Sequence, residues 1–240
     1  MRKNKALAYM YDFYNTHTLL GQNDDIQYYI NKIKKYKPNK ILIVGAGTGR
    51  VALPLSKYSQ IVALDFDKDR LEVLKEKNCN IDTIAENICV SKIIEKFDMI
   101  IFPYSTLQFF SNKDKINIIF DKVAKLMNKN SILLFDVSES FNLKKDTDNL
   151  ELFNDYCQEI DDMVKVVYTS KQYKEYIEFN VKYISSKFHS YLLETEKYYY
   201  YDKNFFDMTL RNSKLSTIQI DDGYGNPGFE HKHIYNCKLR

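Results

Sequence analysis

Three of the chain's seven glycines, Gly45, Gly47 and Gly49, fall within five residues, directly after the apolar run ILIV. A glycine loop at a strand end lets the backbone approach a ligand and turns the N–H groups of the following helix toward it. Twenty residues beyond Gly45, Asp65 closes a second apolar run, IVALD. A carboxylate there can accept hydrogen bonds from both hydroxyls of a ribose, and both features fall at strand carboxyl ends, where open α/β sheets bind ligands. A dinucleotide loop of the form G-x-G-x-x-G would need glycine at position 50, but the chain has Arg50 and carries its third glycine at 49. That spacing favours a nucleoside without a pyrophosphate.

The elements needed to position these residues are legible around them. ILIVG at 41–45 is a continuous apolar run of strand length, as expected of a strand buried on both faces. A short helix near 50–58, strand 61–65, helix 68–77, strand residues near 81–85, strand 97–102, helix 113–127 and strand 131–137 follow. This alternation predicts an α/β, Rossmann-like open and mostly parallel sheet with helices on both faces. Residues 4–36 read as helical with a break at Gly21-Gln22-Asn23. After Ser138 the rhythm changes: 162–169, 174–186 and 189–200 are rich in Val, Ile, Tyr and Phe without intervening helices, which predicts an appended antiparallel β-sheet. Asp202–Arg211 reads as a last helix, and STIQI with HKHIYNCKL as a hairpin around the turn-rich DDGYGNPGF, with Gly223, Gly225 and Gly228 in or beside it. The chain is accordingly divided into a helical cap at 1–36, a core at 37–140, a sheet elaboration at 141–201 and a closing segment at 202–240.

Composition narrows the class. The 240 residues are 45% hydrophobic and 28% charged, and 35 Lys and Arg against 32 Asp and Glu leave a dispersed formal charge of +3. Neither nucleic acid nor an anionic membrane is the expected partner. No apolar run approaches the roughly 20 residues of a membrane span, and the N-terminal stretch lacks an apolar signal core, so the expected location is cytoplasmic. Cys79, Cys89, Cys157 and Cys237 lie far apart without a C-x-x-C pair, so no disulfide framework or zinc site is expected. His231 and His233 would share one strand face but have no third ligand in sight, and no metal is expected.

GAGTGRVALPL followed by ALDFDKDRLEVLK resembles the first two motifs of class I S-adenosylmethionine-dependent methyltransferases, particularly small-molecule enzymes such as sugar N-methyltransferases and glycine-type N-methyltransferases. By motif the resemblance spans about residues 40–137. It implies S-adenosyl-L-methionine as cofactor, with Gly45, Ala46, Gly47 and Gly49 cradling the amino-acid moiety, Asp65 on the ribose and Phe66 on the adenine. The strand ending in TIAENI matches the third motif. Asn87 holds the place of the family's usual acid there, with Ile88 beside the ring; Ile43 stands where the family usually has Asp or Glu. FDMIIFPYSTLQFF is similar to the strand ending beside the transferred methyl group and adds Phe102 to the cofactor-side residues. Phe102-Pro103-Tyr104 lacks the polar residue that base-modifying N-methyltransferases place before Pro-Pro-Tyr. Tyr104, Ser105 and Gln108 read as a substrate-facing rim, and AYMYDFYNTH resembles the family's N-terminal cap, with Tyr11 as part of a lid.

Methyl transfer mainly requires a nucleophile held in line and water excluded. A base is needed only when the acceptor arrives protonated, and Tyr14, His17 and Tyr104 are the candidates. The expected reaction moves a methyl group to an amine or hydroxyl of a small molecule, with the added sheet walling the acceptor site or forming a homodimer contact. Rival readings are aminocarboxypropyl transfer from the same cofactor, a non-catalytic cofactor-binding module, and, with less in its favour, an NAD-dependent reductase.

Overall fold

The apolar run at the start of the nucleoside motif forms β1 (Lys40–Val44), and its alternate residues go to opposite sides: Leu42 and Val44 join one buried cluster, Ile41 and Ile43 another. Burial on both faces is what a central parallel strand requires. The computed structural model describes residues 3–18, 24–139, 146–225 and 231–240. Around β1 stand β2 (Gln60–Asp65), β3 (Asp82–Ala85), β4 (Phe97–Phe102) and β5 (Met127–Ser138), all parallel, and the antiparallel pair β10 (Leu215–Asp222) and β11 (Lys232–Leu239). The strand order is β10-β11-β5-β4-β1-β2-β3, so the closing hairpin completes the main sheet beside β5.

Helices α2 (Asp24–Tyr36), α3 (Ala52–Leu55) and α4 (Lys68–Lys77) cover the face of Ile41 and Ile43, whereas α5 (Lys113–Leu126) and α6 (Lys203–Arg211) cover the other. Local chemistry fixes their starts. Asp67 caps α4 by accepting from the N–H groups of Asp69 and Arg70, Asn112 caps α5, and Asp202 caps α6. The helix expected near 50–58 is a single turn. The strand expected at 131–137 begins at Met127, directly after α5.

A second sheet, β6 (Thr147–Cys157), β7 (Asp162–Gln172), β8 (Tyr176–Ile184) and β9 (Tyr191–Tyr199), is antiparallel in that order. β6 escaped the sequence reading because it is an edge strand with mostly exposed residues and little apolar alternation. α1 (Lys3–Thr18) lies under this sheet: Ala6, Met10 and Phe13 pack with Val164, Val166, Tyr183 and Leu192. Burying Met10 and Phe13 contributes about 2 kcal/mol each. The adjacent face of α1 is tied to α4 by Lys5 to Glu76, Tyr9 to Glu76 and Lys77 to Asp12. The first helix is therefore clamped between the two sheets' layers. The break expected at residues 21–23 and the turn glycine Gly228 lie outside the described residues; Asn23 and Gln22 do as well. Among the described residues no helix is long and apolar enough to cross a membrane.

Candidate functional site

Each loop glycine adopts a backbone that L side chains rarely take, with φ of 75° at Gly45, 53° at Gly47 and 96° at Gly49. The loop is tied to β2 by the N–H groups of Gly45 and Ala46, which donate to the Leu64 carbonyl at 2.8 and 3.1 Å. A methyl group on Gly49 would lie 2.3 Å from a Leu74 side-chain carbon, so this glycine is what lets α4 pack against the loop.

Asp65 is the loop's second anchor. Its carboxylate accepts the Gly47 N–H at 2.8 Å and the Asp67 N–H at 2.9 Å, and only 5% of the residue is exposed. Burial raises its pKa, and the two backbone donors oppose that shift. At the neighbouring strand ends, Phe66 is 77% exposed and Asn87 is also on the surface. Asn87 uses its side-chain oxygen to accept from the Cys89 N–H at 2.9 Å. Ile88 and Phe102, expected against the cofactor, are instead packed inside the core.

A cavity of about 490 Å³ opens beside the loop. Tyr11, Tyr14, Gly45, Ala46 and Tyr104 all line it, so the sequence candidates from α1, β1 and β4 converge. The Tyr11 ring approaches within 3.3 Å of where a Gly47 Cβ would stand, and the Arg70 guanidinium lies 3.7 Å from that ring's centroid. Burial pushes the Tyr11 and Tyr14 hydroxyls far up, which keeps both as neutral hydrogen-bond donors. Tyr104 is raised by burial too, with Arg50 opposing. Its ring faces two cations, Arg50 at 5.3 Å and Lys232 at 4.4 Å, and Arg50 in turn pairs with the buried Asp25.

Gly47, Gly49, Asp65, Phe66 and Asn87 are not among the residues that line the cavity, and three acceptor-side candidates stand elsewhere. His17 does not line the cavity: its Nδ1 meets the Phe13 carbonyl at 2.8 Å, its Nε2 meets Asp155 at 3.1 Å, and its ring stacks on Phe153. It joins α1 to β6. Ser105 and Gln108 are buried rather than forming a rim. Gln108 clamps Ser138 through both amide atoms and donates to the Tyr199 carbonyl at 3.2 Å, tying the exit of β4 to both sheets. Ser105 is held by Asp136, whose carboxylate accepts its N–H at 2.8 Å and its hydroxyl at 3.1 Å. The turn needs holding because Tyr104 and Ser105 are consecutive non-glycine residues in the left-handed region, φ 54° and 59°. His233 pairs with Asp222 at 2.7 Å, and no group of three side chains that could hold a metal occurs among the described residues.

Sequence reasoning missed the acidic wall. Glu194 and Glu196 of β9 both line the cavity; Glu194 pairs with Arg70 and accepts the Tyr183 hydroxyl at 3.1 Å. Burial raises Glu194 to about 7, with Arg70 lowering it and Glu196 adding to the rise. The available signal was the period of two: Leu192, Glu194, Glu196 and Tyr198 share a strand face, and two of them are apolar and buried.

The residues present fit a sulfonium nucleoside: a backbone cradle without side chains, a carboxylate fixed at the adjacent strand end, and an aromatic cavity closed by α1. Residues 41–140 match a family model described as a methyltransferase domain. No curated protein matches the chain. Among solved structures, an S-adenosylmethionine-dependent methyltransferase from Clostridium acetobutylicum superposes with a TM-score of 0.80 at 16% identity, covering 96% of this chain and 98% of that one. A sugar N-methyltransferase from Streptoalloteichus gives 0.76 at 10% identity, with 96% and 92% covered. An amino pentose methyltransferase from Micromonospora echinaspora, solved with S-adenosylmethionine bound, gives 0.68 at 11%, with 91% of each chain covered. At these identities the likeness is one of fold, and it includes the appended sheet.

Proposed function

We propose, on the premise that residues 41–140 are a methyltransferase domain whose cofactor is S-adenosylmethionine, that the chain transfers a methyl group to an amine or hydroxyl of a small molecule. The observation that carries this reading is the hydrogen bond from Gly47 N–H to Asp65, which joins the acid to a loop whose Gly45 and Ala46 line the cavity. The similarity in fold to sugar N-methyltransferases supports a small, soluble acceptor, and a cytoplasmic setting accords with it.

The cofactor would supply an electrophilic methyl group on a good leaving group. The loop at Gly45 to Gly49 would hold its amino-acid part and Asp65 its ribose, with Phe66 and Asn87 on the adenine side. The rest falls to positioning and to the exclusion of water. Tyr11 and Tyr14 roof the cavity from α1, the sheet β6–β9 walls it, and Tyr104 is fixed at the β4 exit. As neutral phenols, these tyrosines position an acceptor by accepting from its N–H or O–H groups and do not remove its proton.

Calorimetry with S-adenosylhomocysteine tests the reading. Binding that is lost in Asp65→Ala supports it, and absence of binding to the folded protein overturns it. Release of methylthioadenosine on turnover, rather than S-adenosylhomocysteine, would replace methyl transfer with aminocarboxypropyl transfer.

A further inference from the structure

The wall formed by β9 carries more negative charge than its surroundings balance. Glu194 and Glu196 both face the cavity, but one guanidinium, Arg70, serves them, and its ion pairs go to Glu194 and Asp67. Among the described residues no cation lies in ion-pair range of Glu196; its partner is the Tyr198 hydroxyl, which donates at 3.2 Å. Arg50, the guanidinium that lines the cavity, is committed to Asp25.

Glu196 is also surrounded by rings. Tyr198 packs on Phe109 at 4.4 Å between centroids and on Phe179 at 5.4 Å edge to face, and all three line the cavity, as does Tyr104. An aromatic cluster beside a carboxylate that has no ion pair and feels only the field of Arg70 suits a cation, because ring faces attract positive charge and the carboxylate gains a direct counter-charge when the ligand arrives.

We infer that Glu196, with the rings of Tyr198, Phe109 and Phe179, forms a subsite for the positively charged nitrogen of the acceptor, so that the preferred acceptor is an amine that enters as its ammonium and passes one N–H proton to the Glu196 carboxylate, freeing the lone pair that attacks the methyl carbon, rather than a hydroxyl compound. This rests on the proposed methyl transfer and narrows its acceptor class. It also divides the labour in the cavity: the loop and Asp65 serve the nucleoside, and β9 serves the acceptor. Burial raises the Glu196 carboxyl's pKa. A cation that pairs with it reverses that penalty and is favoured over a neutral ligand of the same shape.

The test compares two probes of matched shape, cyclohexylammonium chloride and cyclohexanol, by calorimetry on the whole protein, with and without saturating S-adenosylhomocysteine. Wild-type protein should bind the ammonium about tenfold more tightly than the alcohol, the size expected of one cation–π contact plus one charge contact. Glu196→Gln should abolish the difference while leaving S-adenosylhomocysteine affinity unchanged. Equal affinities, no detectable binding of the ammonium, or a preference that survives in Glu196→Gln would each overturn the inference, and the wild-type comparison stands without any variant. If S-adenosylhomocysteine fails to bind, the methyl-transfer reading falls, and the probe comparison on the free protein still judges Glu196.

Discussion

Asp136 on β5 meets Ser105 at two points, accepting both its backbone N–H and its hydroxyl, and so fixes a turn that its own sequence disfavours. Removing the carboxylate leaves two buried donors without their partner. Asp136→Ala should therefore cost about 1–3 kcal/mol, read from urea unfolding. Asp136→Asn keeps one acceptor oxygen and should lose less. Equal stability of wild type and Asp136→Ala would show that the turn holds itself.

Asp65→Ala should weaken S-adenosylhomocysteine binding by roughly 1–3 kcal/mol, since the ribose acceptor and the Gly47 tie are lost together. Unchanged affinity in calorimetry would remove Asp65 from the site.

Arg70→Met leaves Glu194, whose side chain is 7% exposed, without its cation. At a pH well above 7, where Glu194 is ionised in the fold, this should cost about 3–5 kcal/mol. Near pH 5 the loss should be smaller, because Glu194 is then protonated in the fold and carries no charge to compensate. A cost independent of pH would mean that Arg70 acts through packing on Tyr11 alone.

The pH dependence of the wild type follows from the same group. Burial pushes Glu194 up from its ordinary 4.5 to about 7 in the fold, so the folded state holds the proton more tightly than the unfolded chain. Its contribution to stability is fully present below 4.5 and is lost as pH rises through about 7. Urea midpoints should therefore fall across that window, and Glu194→Gln should flatten the slope. A slope retained in the variant would assign it to another group.

Gly49 and Gly225 separate crowding from backbone strain. Both have positive φ, 96° and 87°, but a Cβ at Gly49 meets Leu74 at 2.3 Å whereas nothing lies within 4 Å at Gly225. Gly225→Ala should cost about 1–2 kcal/mol of strain. Gly49→Ala should cost more, because α4 must also move from the loop. Similar melting temperatures for the two variants would contradict the packing role of Gly49.

The parallel core could be read from the sequence because its signals are local: ILIV runs straight into glycines, and Asp65 ends the next apolar run. Tyr104 could be located because its strand ends in Pro-Tyr. Glu194, Arg70 and Asp136 could not be assigned, since each acquires its role from a partner far away in the chain. Arg70 meets Glu194 across 124 positions, and Ser105 meets Asp136 across 31. His17 misled for the complementary reason. A histidine on an aromatic helix offers both chemistry and packing, and the edge strand β6, invisible in the pattern, claims it for packing.

The second sheet forms one continuous stretch of chain, from Thr147 to Tyr199, bracketed by the segments that leave β5 and lead into α6. A stretch with its ends so placed can be exchanged as a cassette: a relative's β6–β9 grafted onto this core would carry in a new acceptor preference while the nucleoside grip stays native. Diversification by replacement of this kind needs the incoming strands to supply a partner for Arg70 and an apolar face for Met10 and Phe13 of α1.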